Sequence, residues 1–350
     1  TALIALRSVV QSHSPLPFKQ KKVIKKILQK IFKIASYGIF FKLYGKIEGS
    51  IKAVSDDRIK ITSIHFDESL TYKTYYITKG RLYTDRIQDT AVILDNKIIE
   101  EPSFQLRNKK DGTIYNAKAN ENIVFRKGTP RLLRKLNGNI LSLLTGGGGN
   151  NNYWHWLYDV LPRIALYSKH SNLEKIDYFL FPSILKEFQQ ETLNCLNIPK
   201  NKRLSSEKYR HISTKKLIVT DHPVVVSGNH SDDIQNVPKW ILTWLRESFL
   251  NQSILVNKSQ NKKIYIDRTD SNLKNQHQRL LANENEIKKY LLDNDFIPIK
   301  LHKINFREQV NLFHNAECII GLHGAGFANL AFCKPETKVI EMRGSNAGFM

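Results

Sequence analysis

The sequence predicts an α/β protein with parallel strands and helices on their faces. Three observations carry this. Toward the C-terminus, KKIYIDR, NENEIKKYLLDNDF, FIPIKL, NFREQVNLFHNA and CIIGLHGAG follow one another, β-branched runs alternating with helical stretches. Such alternation is the signature of βαβ units. A second strand–loop–helix pattern occupies residues 139–168, NILSLLTGGGGNNNYWHWLYDVLPRIALYS. With 350 residues and 41% hydrophobic content, the chain is long and apolar enough for two domains.

Residues 19–46 differ from the rest. KQKKVIKKILQKIFKIASYGIFFKLYGK carries nine lysines and no acid. Val23, Ile24, Ile27, Leu28, Ile31, Phe32 and Ile34 follow helical spacing, and the lysines lie mostly on the other face. This predicts a basic amphipathic helix able to lie in a membrane interface, where each lysine contributes about 1 kcal/mol. A helix docked on the fold is the alternative. The net charge of +22 calls for an anionic partner. Nucleic acid is not expected, because the basic residues are not interleaved with stacking aromatics. No apolar run reaches the ~18 residues of a transmembrane helix, and no signal-peptide pattern is evident. Cys195, Cys318 and Cys333 form no CxxC pair. They fit reduced core residues of a cytosolic protein.

Residues 47–135 predict short strands (IKITSIHF, KTYYITKG, AVILDNKIIEE, NIVFRKG) joined by Asp-Asn, Lys-Gly and Asp-Gly turns. No catalytic pattern stands out there, and Asp56-Asp57 fits a solvated turn. The next stretch is more informative. A strand from Ile140 to Leu144 enters the glycine run Gly146 to Gly149, and a helix follows from about Tyr153 to Leu161 with Asn152 as N-cap. His155 and Asp159 are four apart and share one helical face. A carboxylate there can orient an imidazole and raise its basicity, as in a base–orienter pair. The alternative is a buried structural hydrogen bond. Trp154 and Trp156 are expected to be packing residues.

Residues 173–237 return to strand, helix and strand. His222, His230, Asp232 and Asp233 gather acids and imidazoles, but their spacing matches no ligand set, so no metal is expected. Pro238 opens the helix PKWILTWLRESFL.

Residues 317–341, ECIIGLHGAGFANLAFCKPETKVIE, organise the C-terminal part. They predict a strand, a turn with Gly321, Gly324 and Gly326, a helix from Phe327 to Phe332, and a strand ending at Glu341. Glycines there admit positive φ or close approach of another group. A helix starting after such a turn offers free N–H groups to an anion, usually phosphate. His323 lies inside the turn. Arg268 ends the strand IYIDR at the same sheet edge, where a guanidinium can grip a diphosphate. Asp293-Asn294-Asp295 has the spelling of a metal-binding DxD motif, but it falls opposite that edge and fits a turn. No GxGxxG follows the first C-terminal strand, which argues against a dinucleotide-dependent oxidoreductase.

Together, YWHWLYDVLPR, IYIDR with a following NENE, GLHGAGFANLAF and VIE resemble glycosyltransferase family 61, whose bacterial members are often capsular polysaccharide biosynthesis proteins. The resemblance covers roughly residues 140–350. It implies a GT-B fold, two Rossmann-like domains facing across a cleft, and inverting transfer from a nucleotide sugar without an obligatory metal or other cofactor. It implies an N-terminal acceptor-side domain at 47–237, after the basic segment 1–46, and a nucleotide-sugar domain at 238–350. The nucleotide side would hold Arg268, His323, Gly324, Ala325, Gly326 and Glu341. The base would be His155 oriented by Asp159, or Asp159 acting directly. The segment that normally follows VIE is cut short, and the chain starts without Met, so a fragment is expected. The implied acceptor is a glycan or lipid-linked glycan, with the protein peripheral at the inner face of the cytoplasmic membrane. The rival from another class is a non-enzymatic protein that binds anionic glycan or lipid through its basic face.

Overall fold

The computed structural model describes residues 18–66, 70–86, 89–103, 105–110, 114–144, 151–227, 230–253, 262–268, 281 and 283–343. The basic stretch forms one long helix, α1 (Phe18–Tyr44). Six strands follow: β1 (Gly49–Ile51), β2 (Ile59–His65), β3 (Thr71–Thr78), β4 (Arg81–Thr84), β5 (Thr90–Leu94) and β6 (Lys97–Ile99). The small ribbon β7 (Leu106–Asn108) and β8 (Ile114–Asn116) and the short α2 (Val124–Lys127) lead to β9 (Arg134–Ser142).

After α3 (Tyr153–His155) and α4 (Pro162–Ser168), strand β10 (Tyr178–Phe181), helix α5 (Glu187–Cys195), and strands β11 (Arg203–Ser205) and β12 (His211–Thr220) complete the first sheet. Its main path runs β1-β6-β5-β4-β12-β9-β10-β11. The strands β12, β9, β10 and β11 are parallel neighbours, the βαβ half expected from the sequence. The other half departs from a Rossmann-like layout. β3 and β4 both pair antiparallel with the long β12, at its C-terminal and N-terminal halves respectively. The reason is local. Tight turns join these strands, with Asp95 and Asn96 both at positive φ between β5 and β6, and a two-residue turn can only reverse the chain.

Two helices, α6 (His230–Gln235) and α7 (Lys239–Ser253), lead to the second sheet. There β13 (Lys262–Ile266), α8 (Glu284–Asp293), β14 (Phe296–Ile299), α9 (Phe306–His314), β15 (Ala316–Leu322) and β16 (Lys338–Met342) alternate as predicted. The order is β14-β13-β15-β16, all parallel. The DxD-like triplet closes α8: Asn294 is its C-cap and Asp295 has φ 66°.

One buried apolar cluster draws on both sheets and on α7 between them. Phe179 and Phe181 of β10, Ile241, Leu245 and Phe249 of α7, and Phe306 and Phe332 all belong to it. The Phe249 ring meets Phe306 edge-on at 5.0 Å and Phe332 at 6.3 Å. Phe249→Ala is therefore expected to cost about 3–5 kcal/mol of unfolding free energy, read by denaturant titration. A loss under about 1 kcal/mol would contradict this packing. Of the cysteines only Cys195 is a core residue; Cys318 and Cys333 are half-buried, and none is in a disulfide. Among the described residues no helix is long and apolar enough to cross a membrane.

Candidate active site

The site begins at the capped helix after the Gly/Asn loop. Asn152 Oδ1 accepts from the amides of Trp154 (2.9 Å) and His155 (3.3 Å), fixing the first turn of α3. The expected continuous helix to Leu161 is interrupted. Residues Trp156–Val160 form a π turn, closed by Leu161 N–H donating to Trp156 O at 3.0 Å. Pro162 explains it. It has no N–H and its ring crowds the carbonyl four residues back, so the ladder slips by one residue before α4 starts. The glycines Gly146 to Gly149 lie outside the described residues.

His155 Nδ1 lies 2.5 Å from Asp159 Oδ2. Asp159 is only 3% exposed, yet it has two further partners. Arg163, also buried, donates from Nε to the Asp159 carbonyl (3.0 Å) and from NH1 to Thr220 O (3.0 Å) at the end of β12. His222, just beyond β12, accepts at Nδ1 from the amides of Val224 (3.2 Å) and Val225 (3.1 Å). Its ring proton in the neutral form therefore sits on Nε2, which faces Asp159 Oδ1 at 3.9 Å. Burial pushes the Asp159 carboxyl up, but His222, His155 and Arg163 outweigh it and hold the acid below its usual range. Burial pushes His155 down, and the Asp159 carboxylate outweighs that, raising the imidazole above 6.5. An imidazole donating from Nδ1 to a carboxylate keeps its lone pair on Nε2.

The second half of the site is the turn after β15. All three glycines are there for close approach, and none has left-handed φ. Gly324 is extended at φ 162°. A Cβ on it would collide with the Arg268 guanidinium, and one on Gly326 would lie 2.8 Å from Leu301. On Gly321 it would press on Ile266 of β13 at 3.0 Å. The helix after the turn is a 3₁₀ helix, Ala325–Phe332, whose first bond is Phe327 N–H to Gly324 O at 3.0 Å. The amides of Ala325 and Gly326 come before that bond and have no acceptor within the helix. Arg268 NH1 donates to His323 O at 2.5 Å. His323 Nδ1 lies 2.6 Å from Glu341 Oε1, and Arg343 Nε donates to Glu341 Oε2 at 2.7 Å. Burial raises the Glu341 acid, and its bonds to His323 and Arg343 overcome this and lower it. His323 Nε2 is buried and, among the described residues, has no partner.

The two halves meet. A cleft of about 520 Å³ is lined by Asn152, Trp154 and His155 on one side and by Arg268, His323, Gly324, Ala325, Glu341 and Arg343 on the other, with Ile234, Gln235 and Phe327 between. Two tyrosines, Tyr153 half-buried and Tyr158 buried, set the spacing. Tyr153 Oη donates to Asn329 Oδ1 (2.6 Å) and Tyr158 Oη to Ala328 O (3.1 Å), joining the His155 helix to the 3₁₀ helix. Six of the eight expected site residues thus face one space. Gly326 packs on Leu301 instead, and Asp159 stands behind His155 rather than on the wall. Trp154 packs on the core as expected, stacked on Tyr158 at 4.9 Å, and also lines the cleft.

The sequence offers His222 only as a rejected metal ligand, and it does not single out Arg343. Each lies just past a parallel strand's carboxyl end, the signal that found Arg268. Of the acid–imidazole group at 222–233, His222 and Asp233 have separate partners. His222 serves Asp159, and Asp233 accepts from the amides of Val226 and Ser227. The side chains of His230 and Asp232 lie outside the described residues. Among the described residues no cluster of three or more His, Cys, Asp or Glu is placed to hold a metal ion.

The family model for Glycosyltransferase 61 matches residues 153–340, more than half of the chain. The chain belongs to glycosyltransferase family 61. It is accordingly a glycosyltransferase, and the matched span runs from the helical stretch bearing His155 and Asp159 into β16. No curated protein matches the chain. As a family 61 member it is an enzyme, which sets aside the simple binding module.

Proposed function

We propose that this family 61 enzyme is an inverting, metal-independent transferase that moves a sugar from a nucleotide-sugar donor to a glycan in capsule- or LPS-type surface polysaccharide synthesis. One observation carries the proposal: His155 and the Arg268–His323–Glu341 group, far apart in sequence, line the same cleft. His155 Nε2 is the base, oriented by Asp159. It takes the proton of an acceptor hydroxyl as that oxygen attacks the anomeric carbon from the face opposite the leaving nucleotide. The Asp159 carboxylate is too deeply set to be first choice.

Arg268, His323 and the amide of Ala325 hold the departing diphosphate. Fixed cations and dipoles can do this without a divalent ion, because they are already aimed where charge develops. Glu341 is ion-paired with Arg343 and hydrogen-bonded to His323, which offsets its repulsion of phosphate. We read residues 47–237 as the acceptor side and 238–350 as the donor side of a GT-B arrangement, whose two carboxyl sheet edges face one cleft. The segment 19–46 gives peripheral contact with the inner face of the cytoplasmic membrane, and the donor is a substrate rather than a cofactor.

A donor screen by nucleotide release tests this, run with and without EDTA. Turnover is expected to persist in EDTA within about twofold. Full loss that Mn²⁺ restores would overturn the metal-independent mechanism.

A further inference from the structure

A second concave site lies at the other end of the first sheet. Arg134 begins β9 and His211 begins β12, while the cleft sits at the carboxyl ends of the same strands. Nine residues of strand separate the two ends, about 30 Å at ~3.3 Å per residue. Here a groove of about 480 Å³ is walled by Ser36 and Phe40 of α1 and by Arg131, Arg134, Lys208 and Arg210. Among the described residues none of these four cations is paired with a carboxylate. Glu207, the acid on this wall, is bound to Arg86. Burial, followed by the like charges of Arg131 and Arg86, lowers the Arg210 guanidinium.

His211 is 1% exposed and donates from Nδ1 to the Arg131 carbonyl at 2.8 Å, so Nδ1 carries the proton. Its Nε2 is an acceptor without a donor among the described residues. The rim is aliphatic. Leu132 is 73% exposed, and Ile39 and Leu43, three residues on from Ser36 and Phe40, are each 59% exposed. Further along α1, Ile27, Ile31 and Ile34 are also more than half exposed. Crowded cations bordered by exposed aliphatics suit a bilayer surface, which offers phosphate and hydrocarbon side by side. A nucleic acid would use the cations but not the aliphatics.

We propose that this groove binds the phosphate headgroup of an anionic membrane lipid, with α1 entering the headgroup layer beside it. Arg131, Arg134, Lys208 and Arg210 supply the charge, and His211 packs beneath them against the Tyr44 and Tyr83 rings. The inference rests on the proposed membrane contact of α1, not on the transfer chemistry. It sets the catalytic cleft about 30 Å from the lipid surface, turned toward the glycan rather than the bilayer.

Vesicle co-sedimentation tests it, with phosphatidylcholine alone and with phosphatidylcholine containing phosphatidylglycerol. Wild type is expected to bind only the latter. R131E/R210E is expected to lose at least about tenfold in partitioning, since each basic residue near such a surface is worth about fivefold. R131K/R210K is expected to retain most binding, and all samples to keep the same thermal midpoint and nucleotide-release rate on a soluble acceptor. Equal binding to both vesicle types overturns the proposal, as does an unchanged R131E/R210E partition. If I27D/I31D abolishes binding while R131E/R210E does not, the helix contact survives and the headgroup site falls. Capture of single-stranded RNA that R131E/R210E alone removes, without vesicle binding, assigns the groove to nucleic acid and overturns it too.

Discussion

Transfer by His155→Ala is expected to fall about 10²–10⁴-fold in kcat, the usual range for loss of a positioned base, with nucleotide affinity nearly intact. The separation follows from the geometry. His155 stands on the α3 wall, while the diphosphate grip is built from the β13 and β15 ends across the cleft. Calorimetry with the free nucleoside diphosphate reads the second quantity. Equal loss of both would contradict the role.

The pH profile adds a sharper test. The base works as neutral imidazole, so kcat/KM rises with pH through the His155 pKa, which Asp159 holds above the ordinary value against the opposing effect of burial. Asp159→Asn removes the raising influence and leaves the burial. The acid limb is therefore expected to move to lower pH, while the plateau falls because an amide can also stabilise the wrong tautomer. An acid limb that stays put in Asp159→Asn would assign it to another group.

The second large effect is on the donor side. Arg268→Ala is expected to weaken nucleoside diphosphate binding by about 10–100-fold, the value of a charge-assisted hydrogen bond, and to weaken the bare nucleoside much less. Arg268 contributes twice, as a cation at the cleft and as the donor that holds the His323 carbonyl. Gly324→Ala probes the same contact without touching the charge. Its new methyl would occupy the space of the guanidinium, so the side chain must leave and a comparable loss is expected. Titration of both variants with nucleoside and nucleoside diphosphate decides it. Diphosphate affinity unchanged within twofold in both would place the phosphate site elsewhere.

Much of this was legible in the chain because it depends on near neighbours. The alternation from Lys262 to Glu341 required a parallel sheet, and a parallel sheet puts Arg268, His323 and Glu341 on one edge whatever packs around it. The i,i+4 spacing of His155 and Asp159 placed them together even through the π turn. Pro162, which causes that turn, was visible in the sequence, but whether a proline kinks, stops or widens a helix depends on what packs against it. The turn glycines could serve positive φ or close approach, and only their neighbours choose between these: a residue's need for space is a property of what approaches it, here Arg268, Leu301 and Ile266.

By itself, then, the sequence determined the strand and helix alternation, the basic character of residues 19–46, and which side chains end the C-terminal strands. The tertiary structure alone decided that His155 faces Arg268 across one cleft, that His222 buttresses Asp159, and that four cations gather under α1. The physical reason is range. Hydrogen-bond periodicity and backbone sterics act over a few residues and can be read locally. Contacts such as Tyr158 to Ala328 or His211 to Arg131 join positions 170 and 80 residues apart, and only the packed core fixes them.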